Sequence, residues 1–331
     1  MVWLFVWLQP IYWRAQVVNI NPHFLHHMLK KVFPFICFFF CFQLAQAQYY
    51  WLWWDNYHQW NGKTPQINYV TRTPKYMGPN ALPVLPFRGT EIGYRSYFSS
   101  GVDYHVSKDE YTVNPYFHLY FPIQKNRIAF EMYTRPVEYY QTSNAIRDER
   151  FMRDSVPKGQ SKGDTYFATR VKIWEDFFRL PDLTLEVTMK TTTGKNLENA
   201  RHINAPAYTF NGVIGDYLIK KEDGKKSLRW FITAGTFIWQ VKDNQQDDSF
   251  LYGAGIEHKH HNFYVNLNAG GYRGYKNNGD RPVVARALFM YSLKNIDMRL
   301  QYQHGFKDMI EHSFHFSVAY KIGYFDTLNK Y

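Results

Sequence analysis

The sequence predicts an all-β fold: a transmembrane antiparallel β-barrel of about 12 strands, preceded by an N-terminal extension rich in proline and aromatic residues. Three observations carry this. Apolar and polar residues alternate with period two through most of the chain from residue 90 onward. Aromatic residues make up 19% of the 331 residues, yet the mean hydropathy is below zero. That pairing suits a wall with one lipid-facing side and rings at both interfaces. The gaps between the alternating runs are by turns short and long, as in bacterial barrels with short turns on one side and longer loops on the other.

The first element is a targeting segment. "MLKKVFPFICFFFCFQLAQAQ", Met28 to Gln48, has two lysines, an apolar run from Val32 to Phe42 and the small-residue cleavage pattern Ala45-Gln46-Ala47. This order is that of a secretory signal peptide, and the apolar run falls short of the roughly 20 residues a spanning helix needs. Residues 1–27 then read as a spurious upstream leader, 28–47 as signal peptide, 48–89 as the extension and 90–331 as the barrel. Cleavage after Ala47 removes both cysteines, Cys37 and Cys41, so the mature chain has no disulfide and no thiol ligand. The removed part carries three basic and no acidic residues, which lowers the net charge from +11 to +8. A basic exported chain points to anionic surroundings such as lipopolysaccharide. Export disfavours a nucleic-acid partner.

The extension follows. "YYWLWWDNYHQWNGK" is aromatic without alternation, and the next stretch carries Pro65, Pro74, Pro79, Pro83 and Pro86. Proline at that density blocks a paired central strand. Three placements stay open: a plug threaded into the lumen, a periplasmic contact arm, or a disordered lead-in.

The alternating runs lie near 90–100, 110–123, 127–142, 164–175, 183–193, 205–219, 228–241, 249–257, 263–273, 282–293, 296–306 and 312–324. In "SFHFSVAYKIGY" Phe314, Phe316, Val318, Tyr320, Ile322 and Tyr324 share one face, and His315, Ser317, Ala319, Lys321 and Gly323 the other. "IDMRLQYQH" and "LTLEVTMK" repeat the pattern. The longer gaps, 101–109, 143–163, 194–204, 242–248 and 274–281, fall in phase with a barrel whose two ends lie in the periplasm. The loop 143–163 is therefore expected outside.

Charged and amide side chains on the polar faces define the candidate site. Glu131, Arg135, Arg170, Lys172, Glu186, Lys190, Arg299, Gln301, Gln303 and Lys321 alternate against apolar neighbours. Arg or Lys facing lipid at midplane costs roughly 2–4 kcal/mol, so these residues are expected to line the lumen. They either neutralise one another in a closed barrel or border a hydrated passage. In the best-phased strands the bases outnumber the acids, so an open lumen would weakly prefer anions.

The chain resembles outer-membrane β-barrel proteins of the Bacteroidetes type, through the signal peptide, the mature start at Gln48, the alternating strands and the aromatic-rich last strand. More narrowly, "GDTYFATRVKIWEDFFRLPDLTLEVTMKTTTGKN", 163–196, is similar to the barrel family named for the meta-pathway of phenol degradation, itself similar to hydrophobic-solute channels. Such proteins often show Pro-Thr-Gly where this chain has Thr192-Thr193-Gly194. The resemblance implies a barrel in the outer membrane of a Gram-negative bacterium, in contact with outer-membrane lipid and the barrel-assembly machinery.

Other chemistry is weaker. His105-Ser107 and His315-Ser317 each place a histidine two residues before a serine, the spacing of some outer-membrane lipid hydrolases. Neither is followed by the asparagine such enzymes usually show. "EHKHHN", Glu257 to Asn262, reads as a polar turn rather than a metal site. Asp247-Asp248 reads as a solvated loop. No cofactor and no enzymatic activity are expected. The leading function is passive movement of small solutes. The alternatives are a structural or assembly protein with a closed lumen and, last, a lipid hydrolase.

Overall fold

A computed structural model describes residues 53–124, 126–221, 226–241 and 245–323. The signal segment, its cleavage site and the C-terminal residues 324–331 lie outside the described residues.

Among the described residues, fourteen strand segments close into an antiparallel barrel. They are β1(Ser96–Val106), β2(Glu110–Gln124), β3(Ile128–Thr134), β4(Val137–Thr142), β5(Lys158–Lys162), β6(Thr165–Trp174), β7(Asp182–Lys190), β8(Ala207–Lys220), β9(Lys226–Gln240), β10(Gln246–His260), β11(Phe263–Gly274), β12(Val283–Ser292), β13(Ile296–Lys307) and β14(His312–Gly323). β1 pairs with both β2 and β14, which closes the barrel. β2 pairs with β3 through one half of its length and with β4 through the other. β6 and β5 pair with β3 and β4 in turn. β3–β4 and β5–β6 are thus two staves, each interrupted once, and the barrel has 12.

The expected run 127–142 is broken at Arg135-Pro136, because proline lacks the N–H a ladder requires. The expected gap 143–163 contains α1(Asn144–Glu149), capped by the Ser143 hydroxyl, and then β5. The expected first run, 90–100, is displaced. β1 starts at Ser96 and continues to Val106, so most of the supposed gap 101–109 is strand. Asp247 and Asp248, expected in a loop, lie on β10, as do Glu257 to His260.

Outward positions are apolar. Phe314, Phe316, Val318, Tyr320 and Ile322 of β14 are exposed, while Ser317 and Ala319 between them are buried. Met298, Leu300 and Tyr302 of β13 alternate in the same way with Asp297 and Gln303. One end of the barrel carries the connections 125–127, 175–181, 221–225, 261–262 and 293–295. The other carries 107–109, 143–157, 191–206, 241–245, 275–282 and 308–311. These are called the turn end and the loop end below.

The interior is filled by the chain ahead of β1. Gln66 donates to the carbonyls of Phe151 and Glu198 at the loop end. Gly78 donates to the Ala200 carbonyl at 2.8 Å. At the turn end Tyr120 donates to the Gly93 carbonyl at 3.1 Å, and Arg95 to that of Lys294. Residues 66–95 therefore run the height of the barrel, from loop end to turn end. Residues 90–95 belong to this inner segment rather than to the wall.

An extended proline-rich segment cannot satisfy its own carbonyls, so the wall does. Tyr272 donates to Leu82 O at 2.7 Å, Arg286 to Val84 O and Leu85 O, Asn266 to Phe87 O, and Arg170 to Gly89 O and Glu91 O. Apolar side chains of the segment, Val70, Met77, Leu82, Val84 and Phe87, form one core with Val213, Phe231, Phe237, Trp239, Leu251, Tyr272 and Val284 of β8 to β12. Phe87 sits where the wall has no side chains. A Cβ on Gly253 would lie 2.9 Å from its ring, and one on Gly270 2.7 Å.

Candidate functional site

The candidate site is the lumen beside the inner segment. Three cavities border the segment. One at the loop end, about 260 Å³, includes Pro74, Lys75, Glu149 and Asp308. The middle one, about 140 Å³, lies between residues 79–88 and side chains of β1, β2, β3, β7, β12, β13 and β14. Both are lined by His105, Met309 and Glu311. The third, about 440 Å³ at the turn end, includes Tyr97, Tyr120, Asn126 and Lys321. Between the middle and turn-end cavities stand Arg88, His118, Tyr97 and Arg299. Tyr97 stacks on Tyr120 at 4.9 Å and meets His118 edge-on at 5.3 Å. The Arg299 guanidinium lies 4.4 Å from the Tyr97 ring centre.

The ten residues singled out in the sequence all sit on the inner side. Glu131, Arg135, Glu186, Gln301 and Gln303 border the middle cavity, and Arg170 and Lys321 the turn-end cavity. Most of the charges are paired. Glu131 takes Arg88 at 2.9 Å and His118 at 3.0 Å. Glu186 takes Arg88 at 3.3 Å and Arg170 at 3.1 Å. Arg135 meets Asp103 at 2.5 Å, and Lys321 meets Asp297 at 2.6 Å. Lys172 is held by Glu175 and Asp182, and Lys190 by Asp164 at 2.8 Å and the Ala205 carbonyl. Arg299 donates to the Tyr97 hydroxyl at 3.3 Å.

Several members of the site escaped the sequence reading. Arg88 belongs to the extension, whose placement was open. Asp103 and His118 face inward on β1 and β2. Arg286 alternates against Ala285 and Ala287 on β12, and the rule that found Arg299 finds it too. Glu311 lies in the loop between β13 and β14. Its Oε1 is buried without a hydrogen-bond partner. Burial, reinforced by the nearby Glu110, pushes the Glu311 carboxyl up to about 7. At the loop end Arg201 is fully buried between Glu138 at 2.6 Å and Glu110. Burial works against its charge, but the two carboxylates outweigh it and hold the guanidinium above its ordinary range.

The histidine–serine pairs are arranged differently from the expectation. His105 lies on β1, not in a loop, and pairs with Ser313 (Nδ1···Oγ 2.8 Å) rather than with Ser107. His315 does reach Ser317 (Nε2···Oγ 2.9 Å), and its Nδ1 meets Asp103. This is the order of an Asp–His–Ser relay. However, Ser317 is 1% exposed and lies opposite Gly101 across the β1–β14 pairing. A Cβ at Gly101 would fall 2.5 Å from that of Ser317. The hydroxyl is sealed beneath the seam, where no substrate carbonyl reaches it. Glu257 of the "EHKHHN" stretch accepts from the Gly89 N–H at 2.8 Å and Tyr264 at 2.8 Å, and His258 bonds the Ser227 carbonyl. Among the described residues no group of three metal-ligating side chains converges.

The architecture is that of a closed antiparallel barrel with an apolar outer wall and a charged interior. No family model matches the chain, and no curated protein matches it. Among solved structures it is similar to an outer membrane channel from Pseudomonas putida F1, with a TM-score of 0.49 and 10% identity over 71% of this chain and 99% of that one. It is similar to the NanC porin, with a TM-score of 0.46 and 11% identity over 68% of this chain and 100% of that one. It is also similar to the KdgM porin, at 0.43 and 8% over 68% and 99%.

Proposed function

We propose that the protein is an outer-membrane channel that passes small polar solutes passively, with residues 66–95 as a plug that narrows the lumen. One observation carries this: cavities at the loop end, the middle and the turn end border the same segment, and a cluster of four side chains, Arg88, Tyr97, His118 and Arg299, divides the lower two. The apolar outer wall supports a place in lipid, since such a face in water would be a liability. Outer-membrane lipid, lipopolysaccharide and the barrel-assembly machinery are the partners this reading requires. A Bacteroidetes-type origin and kinship with hydrophobic-solute channels rest on the sequence resemblance. The charged interior speaks for a polar solute over an apolar one.

The test is liposome swelling with the full chain. Sugar or amino-acid permeation above that of empty vesicles is the expected result. A second reading, a structural protein with a closed lumen, is favoured by the dense ion pairing around Arg88 and Arg170. It predicts no permeation with the plug present or absent. Orientation is checked with single cysteines and an impermeant thiol reagent. Ser155→Cys should react on intact cells, and Lys294→Cys only after the outer membrane is opened.

A further inference from the structure

Among the described residues, the basic residues buried most completely are treated alike with one exception. Seven are buried: Arg150, Arg170, Lys172, Lys190, Arg201, Arg229 and Arg286. Six have a carboxylate: Glu110 for Arg150, Glu186 for Arg170, Glu175 for Lys172, Asp164 for Lys190, Glu138 for Arg201 and Asp182 for Arg229. Arg286, 5% exposed, has none among the described residues. Its partners are neutral: Gln303 Oε1 at 2.6 Å, Leu85 O at 2.8 Å and Val84 O. Arg135, which has the same sign, borders the same cavity. A guanidinium has five N–H donors, so two remain.

Burying a cation without a counter-charge is costly, and buried charges are ordinarily paired. Here the guanidinium borders the middle cavity, where Gln301, Ser313 and His315 add polar groups and Val84, Leu85 and Met309 add apolar surface. At about 30 Å³ per water-sized unit, 140 Å³ holds a molecule of about five heavy atoms.

The geometry points to a binding site for a small carboxylate in the middle cavity, with the anionic head on Arg286 and a short chain against Val84, Leu85 and Met309. An arginine fork suits a carboxylate, which can accept two N–H bonds at once. The inference deepens the channel reading by naming the solute class, and rests on it for the claim that the ligand passes through.

Binding is measured without conduction, by saturation-transfer NMR on the full chain folded in detergent micelles, with sodium acetate as probe and acetamide as the neutral isostere. Acetate should saturate a site that acetamide does not. Arg286→Gln should weaken acetate by about tenfold or more, and Lys158→Gln, at an exposed position of β5, should leave it unchanged. Gln303→Glu keeps the arginine but builds a carboxylate against it. That variant should lose acetate binding to the same extent while its barrel becomes harder to unfold, and it decides the matter if Arg286→Gln does not fold. Equal binding of acetate and acetamide, or acetate binding that survives Gln303→Glu, would overturn the site. A protein that binds acetate but never conducts refutes the channel and leaves the site standing. One that conducts without binding acetate does the reverse.

Discussion

The two arcs of the barrel wall treat the same inner segment in opposite ways. From β8 to β12 the wall packs against it: Leu82, Val84 and Phe87 share a core with Phe231, Trp239, Leu251 and Tyr272. From β13 through β14 to β3 the wall stands off and leaves a cavity bordered by Tyr116, Gln301, Ser313 and His315. Small residues make the first contact, since Gly253 and Gly270 admit the Phe87 ring. Large polar residues hold the second face apart. A segment packed along one side and held along the other by polar contacts beside a cavity, among them Arg88 to Glu131 at 2.9 Å and Asn80 to Asn114 at 3.0 Å, narrows a lumen without filling it.

Removing the segment should break the comparison most completely. A chain lacking residues 66–93 has no division between its arcs, and its single-channel conductance in planar bilayers should rise by about an order of magnitude. An unchanged conductance would show that the segment does not set the passage. Next come matched truncations. Phe87→Ala empties a packed site and should cost about 3 kcal/mol in urea unfolding from micelles. Tyr116→Ala, beside an existing cavity, should cost about 1 kcal/mol and raise conductance. Equal costs would deny the contrast. The smallest effect concerns Glu311, at the junction of the loop-end and middle cavities. Its carboxyl, raised to about 7, is neutral at pH 5.5 and charged at pH 8.5. Anion preference should therefore fall as pH rises through 7, by less than about twofold, because Arg150 and Arg201 lie near and oppose the change. The same shift makes the folded state favour the protonated form. Its stabilising contribution is present below the ordinary carboxylate value and is lost as pH rises through 7. Glu311→Gln should flatten both dependences in reversal-potential and unfolding measurements.

The outer wall was legible because every second residue of a strand faces outward and those positions are apolar, as Phe314, Phe316 and Val318 show. The inner faces were legible as polar for the complementary reason, and the ten residues named from alternation all face inward. What they touch was not legible. Phe87 meets Gly253 and Gly270, and Asp103 meets His315, across spans of sequence that no local period records. The inner segment has no period at all, so its prolines excluded a strand but did not say where it runs. Arg286 and the break at Pro136 were both within reach of rules already in use: an arginine between two alanines, and a proline inside a strand run.

The direction of the inner segment also constrains the order of assembly. It leaves the lumen at the turn end and turns back directly into β1, whose Ser96 pairs with Gly323 at the far end of the described chain. Ring closure must await the last strand, while the segment that the ring encloses is made first. Until then the unfinished sheet offers its inner face to whatever lies nearby, and the nearest candidate is the proline-rich stretch tethered to its own first strand. A segment unable to pair as a strand can occupy that face without competing for the open edges of β1 and β14. The same prolines that keep it out of the wall would thus let it serve as the mandrel around which the wall is rolled.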